Sequence, residues 1–572
     1  MLPQRSPSPG PSSSASLPPG HFLSLQPSYS QPTVAFPSGA PSTSSHEANG
    51  LAPNTASLAS ADFEVDVRTG FLPGTSNVQR LGGKYEVWEE ALDAARGGGK
   101  VGEGLIVGGK RDKERLWRDG VQSMPVLDTN DLCSSLPLLR RAHIVLTFLA
   151  HFYAHTTPLP TLPPSEREPI PIPACISAPL LTVSPLLGLP PILTYADTVL
   201  YNFLPVNPVI APSYAVNPPS TIVTTFTNTR SEEQFFLISA LTEIAGAEAL
   251  RIMRQSLDEL FIADEKAIRR LTVYLKKLAM QIDKISDITM TLMKEVDPEE
   301  FYHLIRPWFR GGDADGPQSA GWDYMGLRIE AGTSEAESAI TEGRRGKMFS
   351  GPSAGQSSLI HAIDIFLTVD HSPTPEERAE ALAAAETEPE HSGDSISMNS
   401  APVSADAPAP AQASHGHGNG HGGEGAKPKS EATFLQRMLQ YMPLPHRTFL
   451  LHLSTHPTPL RPLVVHYSAT HPALAAAYDG ALESLRRFRE KHMRVVSLFI
   501  VQQARRKPSA RVRKLIGLDE ADETEADEEE KVVDIGEIRG TGGTALFKFL
   551  KRCRDNTTKA MVRPSGAGYE LE

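Results

Sequence analysis

Seven stretches of this chain place apolar residues at alternating three- and four-residue steps, a spacing that an α-helix turns into one continuous inner face. They run over 136–155, 232–260, 264–295, 356–369, 432–453, 472–503 and 544–561. Two-residue alternation is scarce, and 220–226, rich in Thr, Ile and Val, is the best strand candidate. The pattern predicts an all-α protein in two lobes. A small helical domain is expected at 62–228, with Pro-rich connections, and a larger helical domain at 229–572.

Composition marks what lies between the helices. The 572 residues include 49 Pro and 43 Gly without a G-x-y period, which points to solvated stretches rather than collagen. Three segments are expected outside the folded body: a Pro/Ser-rich tail at 1–61, a low-complexity insert at 371–431, and a charged loop at 504–538. A short helix could open the insert at Thr374-Pro375-Glu376-Glu377. The charged loop joins a basic cluster (Arg505, Arg506, Lys507, Arg511, Arg513, Lys514) to the acidic run DEADETEADEEE, and blocks of like charge repel and stay solvated.

With 67 acidic against 55 basic side chains the formal charge is −12, which argues against a general nucleic-acid binder. Cys133, Cys175 and Cys553 are far apart and form no C-x-x-C. This argues against a disulfide framework, a Cys-based zinc site or covalent haem attachment. The Pro/Ser-rich opening suits neither a transit helix nor a signal core. The longest apolar runs, 144–153 and 180–204, are cut by His, Pro or Asp. A soluble cytoplasmic protein without membrane association is expected.

In the stretch 472–503 the inner stripe runs Leu474, Tyr478, Ala481, Leu485, Phe488, His492, Val495/Val496, Phe499. An imidazole in line with core side chains is ordinarily a satisfied core residue. The alternative is an axial ligand to a haem iron, with Arg489 near a propionate. Spacing leaves both open.

His151 and His155 stand four apart, as zinc ligands on a helix would, but Phe152 occupies the Glu position of H-E-x-x-H. His415, His417 and His421 in their Gly-rich tract read better as a solvated linker than as a metal site. Residues 104–110 nearly match a phosphate-cradling loop. Arg111 replaces the magnesium-binding Ser/Thr, however, and no convincing strand precedes it. Two small-residue loops, 351–358 and 540–544, precede apolar helices. They either let backbone N–H groups approach a ligand or simply cap those helices.

Nine ordered blocks then identify a family. VRTGFLP (67–73), RRAHIVLTFLAHFY (140–153), PPILTYADTVLYNF (190–203), SEEQFFLISALTEIAG (231–246) and DPEEFYHLIRPWFRG (297–311) are the first five. GPSAGQSSLIHAIDIFL (351–367), FLQRMLQYMPLPHRTFL (434–450), AYDGALESLRRFREKHMRVV (477–496) and GTGGTALFKFLKRCRD (540–555) complete the set. Together they resemble indoleamine 2,3-dioxygenases, fungal members more than mammalian ones.

The resemblance implies one haem b per chain, held non-covalently between helices of the large lobe with His492 as proximal ligand. It implies an Arg489–Asp364 ion pair near the propionates, with Phe236 and Gly355 also against the cofactor. Phe301 and Arg306 match the family's substrate-pocket Phe and Arg, the fork of Arg306 suiting a carboxylate. Independently, their five-residue separation lets a helical start turn both toward one cavity. Tyr195, Thr198, Phe235, Ser239, Tyr302, Ser353, Ala354 and Thr541 fall on the remaining pocket positions. Thr198 stands where mammalian members carry Cys, and Tyr302 where they carry Phe.

The activity so implied adds both atoms of O2 across the indole C2–C3 bond of L-tryptophan. The product is N-formylkynurenine, and the reaction opens the kynurenine route toward NAD biosynthesis. An electron donor would reduce the haem, no side chain would act as acid or base, and a monomer is expected. The alternatives are a haem-binding relative with weak turnover, acting as sensor or accessory protein, and a scaffold without haem.

Overall fold

Helix α3 (Leu136–Thr156) is apolar on almost every side, and every side chain from Leu139 to Ala154 is buried, as in a helix enclosed by its neighbours. Around it pack α1 (Glu86–Ala95), α2 (Asp112–Gln122) and α4 (Ala174–Leu187). The computed structural model describes residues 63–109, 111–316, 319–326, 347–372, 434–518 and 546–562. The tail, nearly all of the insert with its short helix and its three histidines, and the loop 540–544 with Thr541 lie outside the described residues.

Two short ladders interrupt the helices. Strand β1 (Ile170–Ile172) runs parallel to β4 (Trp322–Tyr324), and β2 (Phe203–Pro205) antiparallel to β3 (Pro219–Ile222). Strand β3 is the first half of the stretch expected to be extended.

The other long elements among the described residues are helices. Helix α5 (Arg230–Ile262) starts at Thr229, whose hydroxyl accepts the Glu232 N–H, and ends where Ala263 turns left-handed at φ 50°. Helix α6 (Glu265–Met290) is capped by Asp264, which accepts the Ala267 N–H at 2.6 Å. After them come α7 (Ser358–Phe366), α8 (Phe434–Leu439), α9 (Leu444–Ser454), α10 (Leu460–Tyr467), α11 (Pro472–Val496), α12 (Ala510–Leu515) and α13 (Leu546–Lys559). Helix α11 lies against α6 on one side and α13 on the other.

Two hydrophobic cores result. One joins α1, α3 and α4 to Phe236, Phe301, Trp308 and Phe499, so the small-lobe helices pack directly behind the segment that carries Arg306. The other fills the space among α5, α6, α7, α9 and α11.

Three differences from expectation have physical causes. Helix α4 was read as a Pro-rich connection. Pro179 and Pro185 sit inside it, tolerated because Cys175, Ile176, Leu180, Val183 and Leu187 bury its inner face. The expected 432–453 helix is split before Leu444, at Pro443. The first part of the 504–538 stretch is held in place while its basic side chains stay largely exposed: Arg511 pairs with Asp297 and Glu300, and Ser509 Oγ donates to Glu299 Oε2 at 3.0 Å. Carboxylates from a distant segment neutralise a local excess of positive charge.

The glycines of the phosphate-loop lookalike pack on the end of α3. Gly108 N donates to His155 O at 2.8 Å, and a Cβ on Gly109 would collide with Thr156 O.

Candidate functional site

Among the described residues three single π turns break otherwise tighter helical paths: Ala196–Leu200, Phe301–Ile305 and Ser497–Val501. A π turn closes on i→i+5 hydrogen bonds, so residues five apart share a face. Phe301 and Arg306 meet that condition, and the five-residue spacing noted in the sequence becomes a shared orientation. The other two turns carry Thr198 and Phe499.

The rings form a continuous wall. Phe235 of α5 lies 4.7 Å from Phe301 between centroids, and Phe301 meets Phe499 edge-on at 5.7 Å. Phe236 and Phe235 both reach Phe309, at 5.8 and 6.3 Å. At 4.7 Å the first pair leaves no slot between its rings, so an indole would lie against this wall rather than inside it. Phe499 and Phe309 were missed as site residues by sequence reasoning. Phe499 had been visible only as one more core position on the α11 stripe.

The polar groups of the predicted pocket are turned toward their own backbone or toward one another. Ser239 Oγ donates to Phe235 O at 2.9 Å and Thr198 Oγ1 to Thr194 O at 3.2 Å. Tyr195 N donates to Gln356 Oε1 at 2.8 Å and Tyr195 Oη to Glu243 Oε1 at 3.0 Å. Ser357 Oγ shares that carboxylate oxygen at 2.6 Å.

The glycine-rich loop 351–358 also spends its amides internally. Gly355 N donates to Ser353 Oγ, Gln356 N to Ser353 O and Ser357 N to Ala354 O. Its glycine is needed for close packing, since a Cβ on Gly351 would strike Phe309 O. Ala354 is exposed and Ser353 half-exposed.

Glu243 is the buried acid of this region. Burial pushes its pKa up to about 7, although the Ser357 and Tyr195 hydroxyls oppose the shift. A carboxyl whose pKa rises on folding binds its proton more tightly in the native state. Stability is therefore full below the ordinary value of 4.5 and falls as pH rises through 7. Glu243→Gln should match the parent near pH 5 and exceed it by roughly 3 kcal/mol above pH 8. Denaturant midpoints at the two pH values check this, and identical pH slopes for the two proteins would refute it.

Arg306 lies with its guanidinium 5.5 Å from the Tyr302 ring centroid, and burial pulls its pKa down. A buried guanidinium stays charged and gains from an incoming carboxylate.

His492 stands on the inner face of α11. Its ring stacks nearly parallel to Phe488, 6.4 Å away at 7°, and makes no hydrogen bond among the described residues. The residue is half-buried, yet surrounding protein, then Arg489, lowers its pKa to about 4. At neutral pH the imidazole is uncharged and able to ligate.

Three residues earlier, Arg489 Nη2 donates to both Asp364 oxygens at 2.6 Å, and Nη1 donates to Cys553 O at 3.2 Å and to Thr557. Burial would raise the Asp364 pKa, but Arg489 and His371 bring it down to about 2. The predicted pair is thus present as a brace joining α7, α11 and α13. A separate cleft of about 240 Å³ is lined by Leu105, Ile106, His303, Leu304, Trp308 and Leu515. Neither Phe301 nor Arg306 lines it. No cluster of three potential metal-binding side chains occurs among the described residues, and no helix there is long and apolar enough to cross a membrane.

Comparison with known proteins identifies the family. The chain is 28% identical over 496 residues to the indoleamine 2,3-dioxygenase of Saccharomyces cerevisiae, spanning 85% of this chain and 90% of that relative. It is 27% identical to mouse indoleamine 2,3-dioxygenase 1, spanning 78% and 85%. It is 26% identical to the 6-hydroxytryptophan 2,3-dioxygenase of Fusarium equiseti, spanning 87% and 97%. The family's sequence profile matches residues 59–560, and this chain is a member of the indoleamine 2,3-dioxygenase family.

Proposed function

We propose that this protein is a haem-dependent dioxygenase that converts L-tryptophan and O2 to N-formylkynurenine by adding both oxygen atoms across the indole C2–C3 bond. The observation that carries the reading is His492: a half-buried imidazole, uncharged at neutral pH and without a hydrogen-bond partner among the described residues, in line with Tyr478, Ala481 and Leu485 on a long helix. That is what a haem iron requires of a protein ligand. The residues fit haem b, which His492 would hold through its imidazole, with Phe236 and Gly355 beside it. The Arg489–Asp364 brace would fix the backbone around His492.

Haem, when bound, supplies the dioxygen chemistry. The protein binds, orients and keeps water out. Arg306 takes the α-carboxylate, and the Phe235–Phe301–Phe499 wall takes the indole by edge and face contact. Tryptophan plus both oxygen atoms is the product, so no net proton leaves the substrate. A chamber whose Ser239, Thr198 and Tyr195 hydroxyls are all committed to protein acceptors suits that balance. Ser353 and Ala354 would line the entrance.

The reading of a weakly active relative gains nothing from the two departures noted in the sequence. Thr198 keeps a small side chain with its hydroxyl turned away, and Tyr302 supports Arg306 from below. Reduced, haem-loaded protein given L-tryptophan should accumulate N-formylkynurenine, with 6-hydroxytryptophan as a second substrate to compare. Haem-replete protein that turns over neither would reject the proposal.

A further inference from the structure

Helix α3 reaches under the Arg306 segment with two imidazoles. His151 Nδ1 lies 2.8 Å from Trp308 O, and His155 Nε2 lies 2.9 Å from Arg310 O. A carbonyl only accepts, so each ring must be the donor: the Nδ1–H tautomer at His151 and the Nε2–H tautomer at His155. Burial holds their pKa values at about 4 and about 3, so both rings are neutral at physiological pH, each with the one N–H the contact needs.

The two carbonyls lie where helical structure runs out. Arg306–Phe309 is a single tight turn whose end is capped by a stretched Arg310 N to Pro307 O contact of 3.5 Å. Aromatic rings fill the space around the contacts. Trp322 stands edge-on to His151 at 4.9 Å, Trp308 edge-on to His155 at 6.0 Å, and Trp308 stacks on Phe226 at 5.4 Å. The histidine pair that resembled half a zinc site thus has its facing nitrogens committed to main-chain oxygens.

We propose that His151 and His155 are positioning residues for the dioxygenase: as neutral donors they clamp the carbonyls two and four residues beyond Arg306 and so set the angle at which its guanidinium meets the substrate carboxylate. The inference rests on the reading of Arg306 as the carboxylate partner.

The test uses the haem-loaded full chain. His151→Phe and His155→Phe keep an aromatic ring and delete the donor, whereas His151→Asn and His155→Gln return an N–H at the matching position. Each Phe variant should raise KM for tryptophan roughly tenfold with kcat and Soret band unchanged, since a displacement of about 1 Å in a positioning contact weakens it by one to two orders of magnitude. Binding of tryptamine, which lacks the carboxylate, should stay within about twofold. The KM effect should vanish in an Arg306→Ala background, as expected of coupled residues. The Asn and Gln variants should recover most of the loss.

The clamp is overturned if the Phe variants keep haem and the parental KM while Arg306→Ala raises it. It is equally overturned if they weaken tryptophan and tryptamine alike or lose haem, because the rings then support the fold at large. If Arg306→Ala itself leaves KM unchanged, the carboxylate reading falls first, and the clamp with it.

Discussion

His492→Ala, expressed with ample haem, should purify as a folded protein without a Soret band. The substitution suits the helix, since alanine has the highest helix propensity. It breaks no hydrogen bond among the described residues, because the ring makes none there. It also removes a group that folding penalises. The imidazole pKa falls from an ordinary 6.5 to about 4 on burial, so the unfolded chain binds the extra proton between those values and stability is lost as pH falls through that window. Without haem, the variant should therefore be at least as stable as the parent at pH 5 and equal to it at pH 8. Only the cofactor should suffer. Loss of an outer partner of a metal ligand already costs about 10- to 100-fold in affinity, so loss of the ligand itself should exceed that. Added imidazole should restore part of the band by occupying the space left by the ring. A variant with an undiminished Soret band would place the iron elsewhere.

The helices were legible where apolar residues recur at three- and four-residue steps over many turns, and illegible where the helix is short or carries proline. Helices α5, α6 and α11 alternate cleanly and fell close to their expected ends. Helix α4 carries two prolines, and α1 and α2 span only 10 and 11 residues, too few turns for their repeat to stand out. Their helicity comes from burial against α3, which no local window contains.

The same division holds in the site. Five-residue spacing suggested that Phe301 and Arg306 cooperate, and a π turn gives that spacing its meaning. Phe499 looked like core because the stripe of α11 is continuous; only the turn at Ser497–Val501 re-aims it at Phe301. Glu243 gave no signal at all. One acid within a long amphipathic helix is ordinary, and its importance appears only when Tyr195 and Ser357, distant in sequence, converge on one of its oxygens. The resemblance to a family named His492, but its half-buried, unbonded ring shows only in three dimensions.

Arg306→Ala should raise KM for tryptophan by one to two orders of magnitude while the Soret band and the affinity for tryptamine stay near parental values. A hydrogen bond to a charged group contributes about 1.5–3 kcal/mol, which corresponds to about 10- to 150-fold in binding, and a forked guanidinium–carboxylate contact belongs at the upper end. Burial depresses the pKa of this side chain, so an incoming carboxylate gains from pairing with it. The loss should fall mainly on KM, because the carboxylate does not change charge as oxygen adds to the ring and is bound equally in ground and transition states. Arg306→Lys separates charge from shape. An ammonium restores the attraction but not the planar fork over Tyr302, so KM should recover only in part. Equal losses for tryptophan and tryptamine would show that Arg306 shapes the chamber rather than holds the carboxylate, and an unchanged KM would remove it from substrate binding.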